Sequence, residues 1–184
     1  MLELQRLVMD SKEKKSLIEA LLFVSGDPVT VDALKNLSEL PETELKQTLE
    51  ELIAEYRDQK RGMQIIEIAN GYQMVTNPDY SHWIRKLTST PTPNKLSIPA
   101  LETLAIIAYN QPIIKAELEQ IRGVNSDGVI KSLLDKRLIK IMGRKEVPGK
   151  PLLYGTTNEF LQYFGLRDLT ELPTLKELTR DEAA

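Results

Sequence analysis

No cysteine occurs among the 184 residues. Disulfides and thiolate metal sites are therefore excluded, and the composition suits a reducing compartment. Histidine is nearly absent too. The one example, His82, stands beside Trp83 in a helix-like segment, without the partners that a serine nucleophile or a metal ion would require. It reads as a packed or surface residue. No apolar run approaches the roughly 18–20 residues that span a bilayer. The opening MLELQRLVMDSKEKK lacks the basic-then-apolar order of a signal peptide, so the expectation is a cytoplasmic protein that meets no membrane. Aromatics make up only 5% of the chain, too few for a base-stacking platform of the kind that reads RNA.

Other catalytic signatures fail on inspection. Gly149-Lys150 is followed by Pro151, where a phosphate-binding loop needs Ser or Thr for magnesium. Glu50-Glu51 and the pair Glu117 and Glu119 fall on helix-like segments and read as solvated. The expectation is no enzyme, no metal and no cofactor.

What is present is a pattern of elements that runs twice. Lys12–Ser25 carries apolar residues at Leu17, Ile18, Leu21, Leu22 and Val24, a helical spacing, and Gly26-Asp27-Pro28 stops it. Thr30 suits an N-cap for VDALKNLS, and Pro41 starts PETELKQTLEELIAEYRDQ, where its missing N–H is tolerated. Leu45, Leu49, Leu52, Ile53 and Tyr56 line one side of that third helix. MQIIEIA and YQMVT then read as a hairpin turning at Asn70-Gly71, both positions accepting positive φ. Pro78 opens a last helix, PDYSHWIRKL.

The second half repeats this grammar. Ser97 caps a helix with a buried stripe of Leu101, Leu104, Ala105 and Ala108. Gly123 ends a second helix, and Ser126 or Asp127 caps a third with Val129, Ile130, Leu133 and Leu134 inward. IKIMGRK and PLLYGTT form a wing across Pro148-Gly149, and NEFLQYFG is the closing helix. The fold expected is mainly α with small β-hairpin wings (α+β), as two tandem winged-helix (winged helix-turn-helix) domains. Residues 1–87 form the first domain and 88–95 a Pro-rich connector, because proline cannot continue a helix. Residues 96–166 form the second domain, and 167–184 a docked stub with a frayed acidic end.

Charge separates the halves. From Met1 to Asp58 seven basic residues face thirteen acids, while from Gln111 to Gly155 nine face five. The third helix of the first half, with six acids between Glu42 and Asp58, would be repelled by phosphates. In the second half Lys131, Lys136, Arg144, Lys145 and Lys150 offer at most a weak, non-specific, salt-sensitive DNA contact. A dimeric winged-helix transcription regulator is the alternative this supports. The apolar surplus argues for protein partners instead. ETLAIIAY is apolar around most of its circumference, and LIEALLFV is similar. Leu17, Leu21, Leu22 and Phe23 are the expected self-association residues.

LETLAIIAYNQPI, EQIRGVNSDGVIKSLLDKRLI, GRKEVPGKPLLYGTT, FLQYFGL and the opening IEALLFVSGDPVT closely resemble segregation and condensation protein B. The resemblance spans about Lys12 to Pro173 and departs from the family pattern mildly at Lys150, where arginine is usual, and at Ile114-Lys115, where Thr-Arg is expected. It implies a homodimeric, non-catalytic accessory subunit, nucleoid-associated, in chromosome condensation and partition during cell division. The implied partners are the kleisin subunit (segregation and condensation protein A) and, through it, the SMC ATPase heads. On the matching segments, Ile106, Tyr109, Gln111, Pro112, Ile113, Arg144 and Tyr154 are the kleisin contacts expected.

Overall fold

The computed structural model describes residues 9–88, 95–174 and 177. The chain folds as two compact units that part between Thr90 and Pro91. Residues 89–94 of the expected connector and the last residues of the expected acidic tail lie outside the described residues.

In the first unit the order is helix α1 (Ser11–Ser25), strand β1 (Val29–Thr30), helices α2 (Val31–Ser38) and α3 (Glu42–Asp58), strands β2 (Met63–Ile68) and β3 (Gly71–Thr76), a 3-10 turn (Pro78–Tyr80) and helix α4 (Ser81–Thr88). Asp10 caps α1, its side chain accepting from the Glu13 N–H while Glu13 accepts from the Asp10 N–H. This reciprocal box satisfies two amides that the helix leaves without partners. Gly26 ends the helix at φ 67°, a left-handed conformation that glycine adopts without steric cost. Thr30 accepts from the Ala33 N–H to start α2. Ile18, Leu22, Leu34, Leu45, Leu49 and Leu52 close one core between the three helices, with Ile65 and Met74 from the sheet.

The second unit runs α5 (Ile98–Asn110), β4 (Ile113–Ile114), α6 (Lys115–Arg122), α7 (Asp127–Asp135), β5 (Ile139–Arg144), β6 (Leu152–Thr156), α8 (Asn158–Phe164) and a 3-10 turn (Leu169–Glu171). The α-helices and strands come in the same order as in the first unit, while the 3-10 turn precedes the closing helix there and follows it here. The sheets match as well, β1-β3-β2 in one unit and β4-β6-β5 in the other, antiparallel throughout. The architecture is helices with two small antiparallel sheets.

Each sheet holds a third strand that the hairpin reading did not anticipate. β1 and β4 are two residues long, too short for a two-residue period to register. Both lie directly before a helix. Ile113-Ile114, part of the apolar surplus that suggested an interface, pairs with Tyr154 and Leu153.

The first hairpin turns one residue earlier than expected. Ala69 and Asn70 carry the positive φ values, 50° and 60°, and Gly71 already pairs with Ile68 as the first residue of β3. Glycine serves another purpose there. A Cβ on Gly71 would lie 2.6 Å from the Val29 carbonyl oxygen, so it is the close approach of β1 that excludes a side chain. Gly155 has the same role on β6, where a Cβ would meet the Met142 side chain and, at 2.9 Å, Gln111 Oε1. Met142 sits at the register shift between Ile141 and Gly143, a bulge that bends the β5–β6 hairpin.

Candidate functional site

The interior of α5 is rotated from the expected stripe. Ala100, Thr103, Leu104, Ile107 and Ala108 are buried, which is i, i+3, i+4, i+7, i+8 spacing. Leu101 and Ala105, expected inside, are exposed. The reason is Ile107, which is fully buried and turns the helix so that a second apolar face, Leu101, Ala105 and Tyr109, looks outward. Phe160 and Phe164 of α8 stand opposite, their rings 5.0 Å apart between centroids. Between the two helices lies a cavity of about 350 Å³, closed along one side by Leu166, Leu172 and Pro173. Its lining is wholly of apolar residue types apart from the hydroxyl of Tyr109. That hydroxyl donates to the Pro173 carbonyl at 2.6 Å.

The residues expected to contact a kleisin separate into two groups. Tyr109 is 43% exposed and lies on the groove. Pro112 and Arg144 are exposed and Ile106 is half-buried, but none of the three lines the groove. Ile113 and Tyr154 are only 2% and 8% exposed. They face each other across the β4–β6 pair; Ile113 belongs to the interior, whereas Tyr154, though largely buried, also borders a surface hollow with Lys115, Pro151 and Leu152. Gln111 is also internally committed: its Oε1 accepts from the Thr156 N–H at 2.7 Å and from the Thr156 hydroxyl at 3.0 Å, and its Nε2 donates to the Ala108 carbonyl. It ties the end of α5 to β6. Phe160, Phe164, Leu172 and Pro173 were missed as groove residues. A closing helix with FLQYF aromatics three and four apart was the available signal.

The expected self-association residues divide similarly. Leu22 is in the core, and Leu21 packs against it half-buried, as Leu17 is half-buried on the same helix. Phe23 is 70% exposed, with Val24 beside it. Phe23 borders a hollow lined by Ser16, Glu19, Ala20, Tyr56, Met63 and Met74. Tyr56 closes the floor of this hollow, its hydroxyl donating to Glu19 at 2.5 Å and the Arg61 guanidinium lying 4.4 Å above its ring. Burial and the Glu19 carboxylate push the Tyr56 hydroxyl pKa up.

Of the five cations assigned to DNA, Lys131 and Lys136 are exposed and make no ion pair among the described residues. Lys145 pairs with Glu117 at 2.6 Å and holds that carboxylate below the usual range, helped by the Ile114 N–H. Lys150 lies 3.8 Å from Glu146, and Arg144 donates to the Lys150 carbonyl at 3.0 Å. The cations of the β5–β6 hairpin thus hold it to itself and to α6, and Lys131 of α7 with Lys136 at its C-terminal end are left without an ion pair among the described residues. His82 packs edge-on against Trp83, 5.8 Å between ring centroids. Among the described residues no group of three His, Asp or Glu is placed to hold a metal ion, and no helix is long and apolar enough to cross a membrane.

A family model described as "Segregation and condensation complex subunit ScpB" matches residues 16–175. The chain belongs to the ScpB family. Proteins named segregation and condensation protein B are similar over most of its length. One from Syntrophotalea carbinolica is 51% identical over 93% of this chain and 86% of its own. One from Clostridium tetani is 46% identical over 90% and 88%, and one from Bacillus cereus (strain G9842) 48% over 92% and 90%. Among solved structures, ScpB from Mycobacterium tuberculosis is 34% identical, with 86% of this chain and 99% of that one covered at a TM-score of 0.43. A dimer of an ScpB N-terminal domain complexed with ScpA peptide is 31% identical, over 41% of this chain and 95% of that one, at a TM-score of 0.40.

Proposed function

We propose that this ScpB-family chain is a non-catalytic, homodimeric scaffold of two tandem winged-helix domains, residues 1–87 and 96–166. In this reading it grips the kleisin subunit, segregation and condensation protein A, in an SMC complex for chromosome condensation and partition. The chain works in the cytoplasm on the nucleoid and reaches the SMC heads through the kleisin. The single observation that carries the kleisin reading is the open apolar face of α5, Leu101, Ala105 and Tyr109, set against Phe160 and Phe164 around an unfilled cavity. Buried apolar anchors of this kind dominate the affinity of protein interfaces. Self-association is assigned to Phe23 and Val24 beside the Tyr56–Met63–Met74 hollow, where exposed apolar side chains meet a concave apolar wall.

The test is calorimetric titration of the kleisin into the full chain and into Ala105→Glu, with the oligomeric state followed by light scattering. Binding lost in the variant while the dimer persists supports the groove. Undiminished binding removes it. Phe23→Glu together with Val24→Glu should yield monomers, and a persisting dimer assigns the contact elsewhere. The transcription-regulator reading rests on the free Lys131 and Lys136. Six acids on α3 and the paired wing cations weigh against it. DNA affinity that disappears at moderate salt would reduce it to a non-specific contact.

A further inference from the structure

We infer that the segment Leu166–Pro173 is an internal place-holder in the α5–α8 groove, displaced when an extended apolar stretch of the kleisin enters. The inference deepens the kleisin-binding reading and rests on it.

Three observations carry it. First, the strap is built to hold its own shape. Asp168 caps its 3-10 turn, accepting from the Thr170 N–H at 2.7 Å. Glu171 accepts from the Arg167 N–H at 2.6 Å and from its guanidinium at 2.5 Å. Second, the strap sits shallowly on the unit, Leu166 and Leu172 being only half-buried. None of Leu169–Glu171 is buried and Leu169 is exposed. The Leu166 N–H donates to the Leu161 carbonyl at 2.9 Å, and the Tyr109 hydroxyl to Pro173. Segments with few buried apolar contacts open at low free-energy cost. Third, the fit is incomplete: with Leu172 and Pro173 in place, about 350 Å³ between α5 and α8 stays unfilled. Apolar surface of this groove is left to water, and burying it under a partner is favourable.

The strap also shows what the groove accepts. It presents a leucine and a proline in extended backbone, Leu172 at φ −64° and ψ 128°, with one carbonyl on the Tyr109 hydroxyl. A partner stretch of this chemistry, extended and uncharged at its centre with bulkier apolar side chains, would make the same hydrogen bond and fill the remaining space. No charged residue lines the groove, so a nucleic acid backbone has nothing to bind there.

The experiment uses the full chain and the purified kleisin. Hydrogen exchange at the Leu166 and Leu172 amides is followed with and without kleisin, and affinity is measured for Leu172→Asp and Arg167→Ala. Arg167 holds the strap's shape without lining the groove, so its variant tests strap closure even where Leu172→Asp disturbs folding. Displacement requires faster exchange of the strap amides in the complex. It also requires tighter binding in both variants, about tenfold where the strap is open in one molecule in ten. Slower exchange on binding, or affinity unchanged or weakened in the variants, overturns the inference. If the unaltered chain does not bind the kleisin at all, the failure lies in the proposed function itself. Binding without strap release sinks only the displacement.

Discussion

The two units share an order of α-helices and strands and a sheet order, yet they end differently. In the first, the closing helix α4 buries no residue, and Trp83 is 63% exposed. In the second, the closing helix α8 sinks Phe160 and Leu161 into the interior and brings Phe164 to the edge of α5. One architecture thus yields a free amphipathic helix at one end and a walled groove at the other. What decides is where the aromatic residues stand. Trp83 packs against Tyr80 at a tilt and against His82 edge-on, within its own segment, whereas Phe160 and Phe164 turn towards a neighbouring helix. A shared order of elements does not make a groove; the anchoring of the last element does.

The comparison breaks most directly at those anchors. Phe160→Ala should lower unfolding free energy by about 3–5 kcal/mol, the usual cost of truncating a buried aromatic, while Trp83→Ala should change it by no more than about 0.5 kcal/mol. Urea unfolding of each variant measures both. A large loss at Trp83 would mean that α4 is anchored after all.

The glycines sharpen the contrast between the sheets. Gly71→Ala drives a methyl into the backbone of β1, which cannot yield, and should cost about 1–3 kcal/mol. Gly155→Ala meets chiefly the flexible end of Met142 and should cost less. Equal losses would show that the bulged wing is as rigid as the other hairpin. Gln111→Ala probes a feature of the second unit, the side-chain tie from α5 to β6. Leaving the Thr156 amide without its acceptor should cost about 1–3 kcal/mol, read from the same unfolding curves.

The smallest effect expected is on pH dependence, and it runs through different contacts in the two units. Lys46 holds Glu42 below the usual carboxylate range, and Lys15 does the same for Glu51. In the second unit Lys145 lowers Glu117 and Lys115 lowers Asp127. A carboxylate with a depressed folded pKa stabilises the fold above its unfolded value and loses that contribution as the pH falls through the folded one. Both units should therefore weaken on acidification below about pH 4. All these groups are at the surface, so added salt should shrink the slope. Lys15→Ala should flatten the acid branch of urea midpoints plotted against pH by removing the Lys15–Glu51 and Lys15–Glu55 pairs that join α1 to α3. An unchanged branch would assign the acid sensitivity to the other pairs, Lys46–Glu42 in this unit or those of the second.

Much of this architecture was legible from spacing and capping. The helices, the hairpins, the Thr30 and Ser97 caps and the Gly123 stop lie within a few residues of where the pattern put them. The groove was legible only as an excess. ETLAIIAY announced more apolar surface than one face can bury, but not which face would stay open. Ile107 settled that by burying completely, and its periodicity is ambiguous because the residues around it are apolar too. Ile113 was illegible for a related reason: a strand of two residues leaves no period to read, so its interior side chain looks like interface. The groove's far wall came from a segment about 50 residues downstream, and long-range pairing of that kind leaves no trace in local spacing.

The two short strands carry a mechanical consequence. Thr30 closes β1 and caps α2, and Ile114 closes β4 and stands at the N-cap of α6. No loop separates strand from helix in either unit. A load on a hairpin tip therefore reaches the second helix through shared residues, with no slack in the coupling to absorb it. In each unit the sheet thus runs straight into a helix of eight residues.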